Sequence, residues 1–116
     1  MESLKLLSSL SEAFGVAGYE TEVREIIEEA VRPLVNEVKV DGLGNLIAVK
    51  EGTRGSPRLM IDAHMDELGF IINHIDEEGF VRFATVGMWD DRILLAEPVV
   101  IMTRGGKKVQ GVTGMK

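Results

Sequence analysis

The apolar residues of this chain change period once, and that change limits it to helices first and strands afterwards. Leu4, Leu7, Leu10 and Phe14 recur at helical spacing, Leu6 widens the stripe and Gly15 is available as a stop, so a first helix is predicted from Ser3 to Phe14. Gly15-Val16-Ala17-Gly18 reads as a tight connection. Val23, Ile26, Ile27, Ala30, Val31 and Leu34 then line one face of a second, amphipathic helix. Glu20 and Glu22 lie near its positive end, and Pro33, which lacks a backbone donor, marks or kinks its last turn. No helix is predicted beyond Val35.

From Glu37 the period is two: Val38 and Val40 alternate with Glu37 and Lys39, and after Asp41-Gly42-Leu43-Gly44 a second run spans Asn45 to Lys50, which predicts a hairpin. Glu51 to Pro57 reads as a loop. Arg58 to Ala63 is an apolar run that alternation does not describe, as expected of a strand covered on both faces, with His64 at its carboxyl end. Open α/β sheets place ligands at that edge. Further short strands are predicted at Phe70–Ile75, Phe80–Ala84, Val99–Met102 and Val109–Val112, with a turn at Asp90-Asp91 and a hairpin tip at Gly105-Gly106. A helix-containing α/β portion thus gives way to an all-β portion near Leu68 to Phe70, which suggests two domains.

Composition removes several classes of function. A chain of 116 residues, 45% hydrophobic, is long enough for one core. A net charge of −6 leaves no basic face for phosphate, so no nucleic-acid partner is expected. With no cysteine, disulfides and thiolate metal sites are excluded; any metal must be held by imidazole and carboxylate, and an intracellular, cytoplasmic setting fits. Neither a signal peptide nor a membrane-spanning run is found. The high charge fraction of 28%, with a single Gln, leans toward a thermophile.

His64-Met65-Asp66 is the candidate for chemistry. Neutral imidazole is a common zinc ligand, and a ligating His is usually oriented by a carboxylate on its other ring nitrogen. Residues i and i+2 of an extended chain point the same way, so Asp66 can do this for His64. Taken alone, the pattern is weak and more readily describes a polar residue near a strand end, His64, followed by a turn or cap former, Asp66. Of the other donors, His74 falls inside a predicted strand as a half-exposed residue, Asp62 suits a backbone hydrogen bond, and the glutamates of the second helix form its solvated face.

Several blocks in order resemble one family. Gly15-Val16-Ala17-Gly18-Tyr19-Glu20, Val40-Asp41-Gly42-Leu43-Gly44-Asn45-Leu46-Ile47-Ala48 and Ala63-His64-Met65-Asp66-Glu67-Leu68-Gly69-Phe70 resemble the N-terminal third of the tetrahedral (dodecameric) metallo-aminopeptidases. These are also described as deblocking or glutamyl aminopeptidases and sometimes labelled endoglucanases. Val86 to Leu95 and Val109 to Gly114 are similar to the start of that family's inserted dimerisation domain. The resemblance implies an α/β fold, with residues 1–69 the N-terminal part of a zinc-peptidase-like α/β sandwich and residues 70–116 part of a β-barrel-like dimerisation domain. It implies His64 as a ligand in a site for two divalent metal ions, zinc or cobalt, and Asp66 as the catalytic-site carboxylate that orients and polarises it. The two metals would activate a water and polarise the scissile carbonyl of a peptide substrate.

The family's bridging Asp, its Glu-Glu pair with the general base, a further carboxylate and a last His have no counterpart here. The expectation is therefore a fragment of a metal-dependent aminopeptidase, inactive and possessing no complete metal site alone, in a homo-oligomer or with a complementary chain. The alternative is a non-catalytic, self-associating assembly module of the same ancestry. A sugar-cleaving enzyme would need paired carboxylates flanking the bond, and no such pair stands out.

Overall fold

Hydrogen bonds between near neighbours build most of this structure, a computed structural model that describes residues 2–114. Helix α1 (Glu2–Glu12) and helix α2 (Thr21–Val31) come first. α1 ends two residues before the predicted Phe14, and the backbone of Gly15 is engaged by Glu67 instead. Beyond Val31 the helix tightens into a single 3-10 turn, Arg32–Leu34, at the proline expected to mark its last turn. Six strands follow: β1 (Glu37–Val40), β2 (Leu46–Val49), β3 (Gly69–Ile75), β4 (Val81–Val86), β5 (Pro98–Met102) and β6 (Lys108–Val112). They pair in order as three two-stranded antiparallel sheets. The chain separates into two units, one ending at Val86 and the other beginning at Gly87.

One turn closes all three hairpins. In each, the N–H of the fourth residue donates to the carbonyl of the first: Gly44 to Asp41 at 3.1 Å, Gly79 to Asp76 at 3.0 Å and Gly106 to Thr103 at 2.9 Å. The glycine sits at positive φ, 91°, 87° and 78° respectively, where a side chain would be strained. The first residue's side chain then takes the N–H four positions on: Asp41 Oδ1 accepts from Asn45 (2.9 Å), Asp76 Oδ1 from Phe80 (2.8 Å) and Thr103 Oγ1 from Lys107 (3.0 Å). The sequence pattern behind this is Asp or Thr followed three residues later by Gly.

In the first unit the buried apolar side chains are Ala13, Val16 and Val23, joined by the buried glycines Gly15 and Gly69. A Cβ on Gly69 would clash with Val16 Cγ2, so the start of β3 lies directly on the α1–α2 connection. Val16-Ala17-Gly18-Tyr19 forms a turn, Tyr19 N–H donating to Val16 O at 2.7 Å with Gly18 at φ 87°. Arg24 of α2 reaches Gly44 O at 3.2 Å and so ties the first hairpin to the helix. In the second unit, buried Thr113 organises the approach to β5: its hydroxyl donates to Leu94 O and accepts from Glu97 N–H at 3.0 Å.

One expectation is not met. Arg58–Ala63 adopts no strand, and Leu59, Met60 and Ile61 are 86%, 85% and 88% exposed. A strand exists only where a neighbouring strand takes its backbone hydrogen bonds. No described strand pairs with this segment: each pairs only with its own hairpin partner. After Val35 the only helical element among the described residues is the 3-10 turn Asp91–Ile93, at the predicted turn.

Two outcomes are expected. Ile61→Asp should change the unfolding free energy of the chain by no more than about 0.5 kcal/mol, as at an exposed site, whereas a core strand would lose several times that; denaturant unfolding decides. The Asn45 side-chain amide, followed by the backbone amides of Asn45, Leu43 and Gly44, holds the Asp41 carboxyl below its ordinary 3.8. Because the folded value lies below the unfolded one, the turn's contribution is fully present above about pH 4 and is lost as pH falls through the folded value. The amide resonances of Leu43 and Asn45 should accordingly titrate with a midpoint below 3.8.

Candidate functional site

His64 and Asp66 lie in the extended segment between the loop at residues 51–57 and β3. The two side chains meet: His64 Nδ1 is 3.0 Å from Asp66 Oδ1 and 3.2 Å from the Asp66 carbonyl oxygen. A carbonyl oxygen can only accept, so Nδ1 carries the proton and, in the neutral ring, the lone pair resides on Nε2. The imidazole is 87% exposed and the carboxylate 45%. The histidine therefore offers one nitrogen donor to the outside while its other nitrogen is held by the chain.

What holds Asp66 in place is Glu67. Its N–H donates to Gly15 O at 2.8 Å, and its Oε1 accepts from Gly15 N–H at 3.1 Å. Val16 and Glu67 form a parallel bridge, and Gly69 closes on Val16 two residues later. The segment after His64 is thus docked along the α1–α2 connection, over the small core of Ala13, Val16 and Val23. On the far side β3 is fixed to β4, with Phe70 and Phe83 rings 4.4 Å apart and tilted by 46°. Sequence periodicity gave no role to Glu67 or to the backbone of Gly15. Their separation of 52 residues has no signature in local spacing.

The other donors considered do not join the pair. Asp62 is exposed in the extended segment, and His74 is exposed in β3 opposite Arg82, just past an irregularity in the pairing after Ile72. No group of three or more His, Asp or Glu side chains gathers among the described residues. A catalytic zinc site takes three protein ligands. The residues present therefore fit one corner of a metal site: a single imidazole of fixed tautomer with its orienting carboxylate. In the second unit Asp90 and Arg92 form an ion pair, Arg92 Nη2 to Asp90 Oδ2 at 2.5 Å, which lowers the aspartate's pKa and raises the arginine's; Ile93 N–H donates to Asp90 O at 3.0 Å at the same turn. No helix among the described residues is long and apolar enough to cross a membrane.

Comparison with known proteins supplies the context for this pair. A family model described as M42 glutamyl aminopeptidase matches residues 44–116. The chain is 45% identical over 112 residues to FrvX of Escherichia coli (strain K12), covering 97% of this chain and 31% of that protein. Among solved structures it is similar to the TET aminopeptidase from the marine sediment archaeon Thaumarchaeota archaeon SCGC AB-539-E09, with a TM-score of 0.91 and 39% identity over 99% of this chain and 32% of the other. It is also similar to the Pyrococcus horikoshii TET1 peptidase, described as assembling into a tetrahedron or a large octahedral shell, with a TM-score of 0.84 and 37% identity over 97% and 33%. The fold is thus mixed α/β and matches the N-terminal part of such structures. The chain spans about a third of the length of the proteins it matches.

The geometry predicts that the Nδ1–H tautomer of neutral His64 dominates, and that Asp66→Ala shifts the ring toward Nε2–H. Ring ¹⁵N chemical shifts at alkaline pH measure the ratio; an unchanged ratio in the variant would show that the carboxylate does not orient the ring.

Proposed function

The chain belongs to the M42 glutamyl aminopeptidase family, and from that premise we propose that it forms one part of a metal-dependent aminopeptidase that removes N-terminal residues from peptides. The observation that carries this reading is the hydrogen bond between His64 Nδ1 and Asp66, which leaves Nε2 exposed as a metal donor. His64 would hold one of two divalent cations, of zinc or cobalt type. Asp66, which touches the ring, would keep the imidazole in the binding tautomer and orientation. When bound, the cation pair supplies activation of water and polarisation of the scissile carbonyl.

The remaining donors and the general base would come from outside this chain, since one imidazole cannot retain a catalytic metal. By itself the chain would then be inactive. In this reading residues 1–69 belong to the catalytic portion and residues 70–116 to a dimerisation portion. Homo-oligomerisation is supported by the assembled state described for the Pyrococcus horikoshii relative and by three two-stranded sheets whose outer edges carry no third strand among the described residues. A cytoplasmic setting is supported by the absence of cysteine.

The test combines the chain with the complementary two-thirds of a relative such as FrvX, Zn²⁺ or Co²⁺, and an aminoacyl chromogenic substrate. Turnover is expected only in the mixture. His64→Ala should abolish it, and Asp66→Ala should lower metal affinity or activity by about 10- to 100-fold, as measured by bound metal and initial rate. Turnover that survives His64→Ala would refute the reading.

A further inference from the structure

We propose that Glu67 is a positioning residue for His64, acting through the plane of the Asp66–Glu67 peptide. The carbonyl of Asp66 and the N–H of Glu67 belong to one planar trans unit and point in opposite directions. The N–H is fixed on Gly15 O at 2.8 Å, so the carbonyl is directed away from the α1–α2 connection, where it meets His64 Nδ1 at 3.2 Å. The Glu67 carboxylate reinforces this from the side chain by accepting the Gly15 N–H at 3.1 Å. Both polar groups of one buried glycine are thereby committed to one residue, and the peptide that carries the histidine's acceptor cannot rotate without breaking the bond from Glu67 N–H to Gly15 O.

The surroundings leave little slack. Gly15 is itself confined, since a Cβ there would stand 3.1 Å from Val23 Cγ1 and 3.5 Å from Met65 O. Gly69 is pressed on Val16 two residues beyond Glu67. The side-chain bond of Glu67 holds Gly15 in register with the backbone bond that orients the Asp66 carbonyl. The consequence for metal binding rests on the reading of His64 as a ligand, but the positioning itself does not.

The experiment is carried out by NMR on the 116-residue chain. Glu67→Ala should make the Gly15 amide exchange with solvent about fivefold faster, as for the loss of one hydrogen bond, and should lower the Nδ1–H fraction of neutral His64. Glu67→Gln, whose side-chain oxygen still accepts, should restore both. Glu12→Ala, which removes a carboxylate on α1 that accepts from the Ser8 hydroxyl, should alter neither. A folded Glu67→Ala variant with an unchanged His64 tautomer overturns the proposal, because a residue that only stabilises the fold would leave the ring as it was. If that variant does not fold, the unaltered chain decides: slow exchange of the Gly15 amide supports the proposal, and exchange as fast as an open loop amide overturns it. Adding Co²⁺ to the chain together with its complementary portion separates the two readings. Loss of the cobalt effect at His64 with the tautomer result intact removes the metal role and leaves the positioning role standing.

Discussion

Gly15 gives both of its backbone polar groups to Glu67, and the geometry of the first unit near His64 follows from that exchange. A buried N–H or C=O without a partner costs on the order of 1–3 kcal/mol, so a glycine at the junction of two helices must find partners for both. Here they come from 52 residues away. The pairing brings β3 in over Val16 and fixes the peptide on which His64 depends. The core beneath is small: Ala13, Val16 and Val23. Its location, under the segment that follows the histidine, matters more than its size.

The hairpins of both units are assembled from local parts. Each hairpin carries its own turn chemistry and requires little from the others, which is why Asp41, Asp76 and Thr103 could be exchanged in role with only a glycine three positions on. Isolated two-stranded sheets are marginal in water, and of the three, among the described residues, only the first is tied to a helix, through Arg24 and Gly44 O. Leu4, Leu7, Leu59, Met60 and Ile61 are exposed apolar residues. The chain spans about a third of its relatives' length.

Much of this was legible in the residues. The helical spacing of Val23 to Leu34, the alternation after Glu37 and the Asp-x-x-Gly turns each depend on a few consecutive residues, so the pattern carries its own structure. The adjacency of His64 and Asp66 was legible for the same reason: two side chains two positions apart in an extended segment share a face. Arg58–Ala63 was misread because a buried strand is defined by its neighbours, and apolar character states only what the segment would prefer if they were present. The ordered blocks through Gly69 carried the family resemblance, which the match over residues 44–116 bears out.

By itself, then, the sequence determined the order of helices and hairpins, the turns that close them, the family, and the placing of an imidazole beside a carboxylate. Only the tertiary structure decided which nitrogen of His64 is left free, and that Glu67 and Gly15 are the pair behind it. The reason is physical: periodicity and turn propensity act over a few residues, whereas the direction of a single peptide plane is set by a hydrogen bond to a distant part of the chain, whose partner no local pattern names.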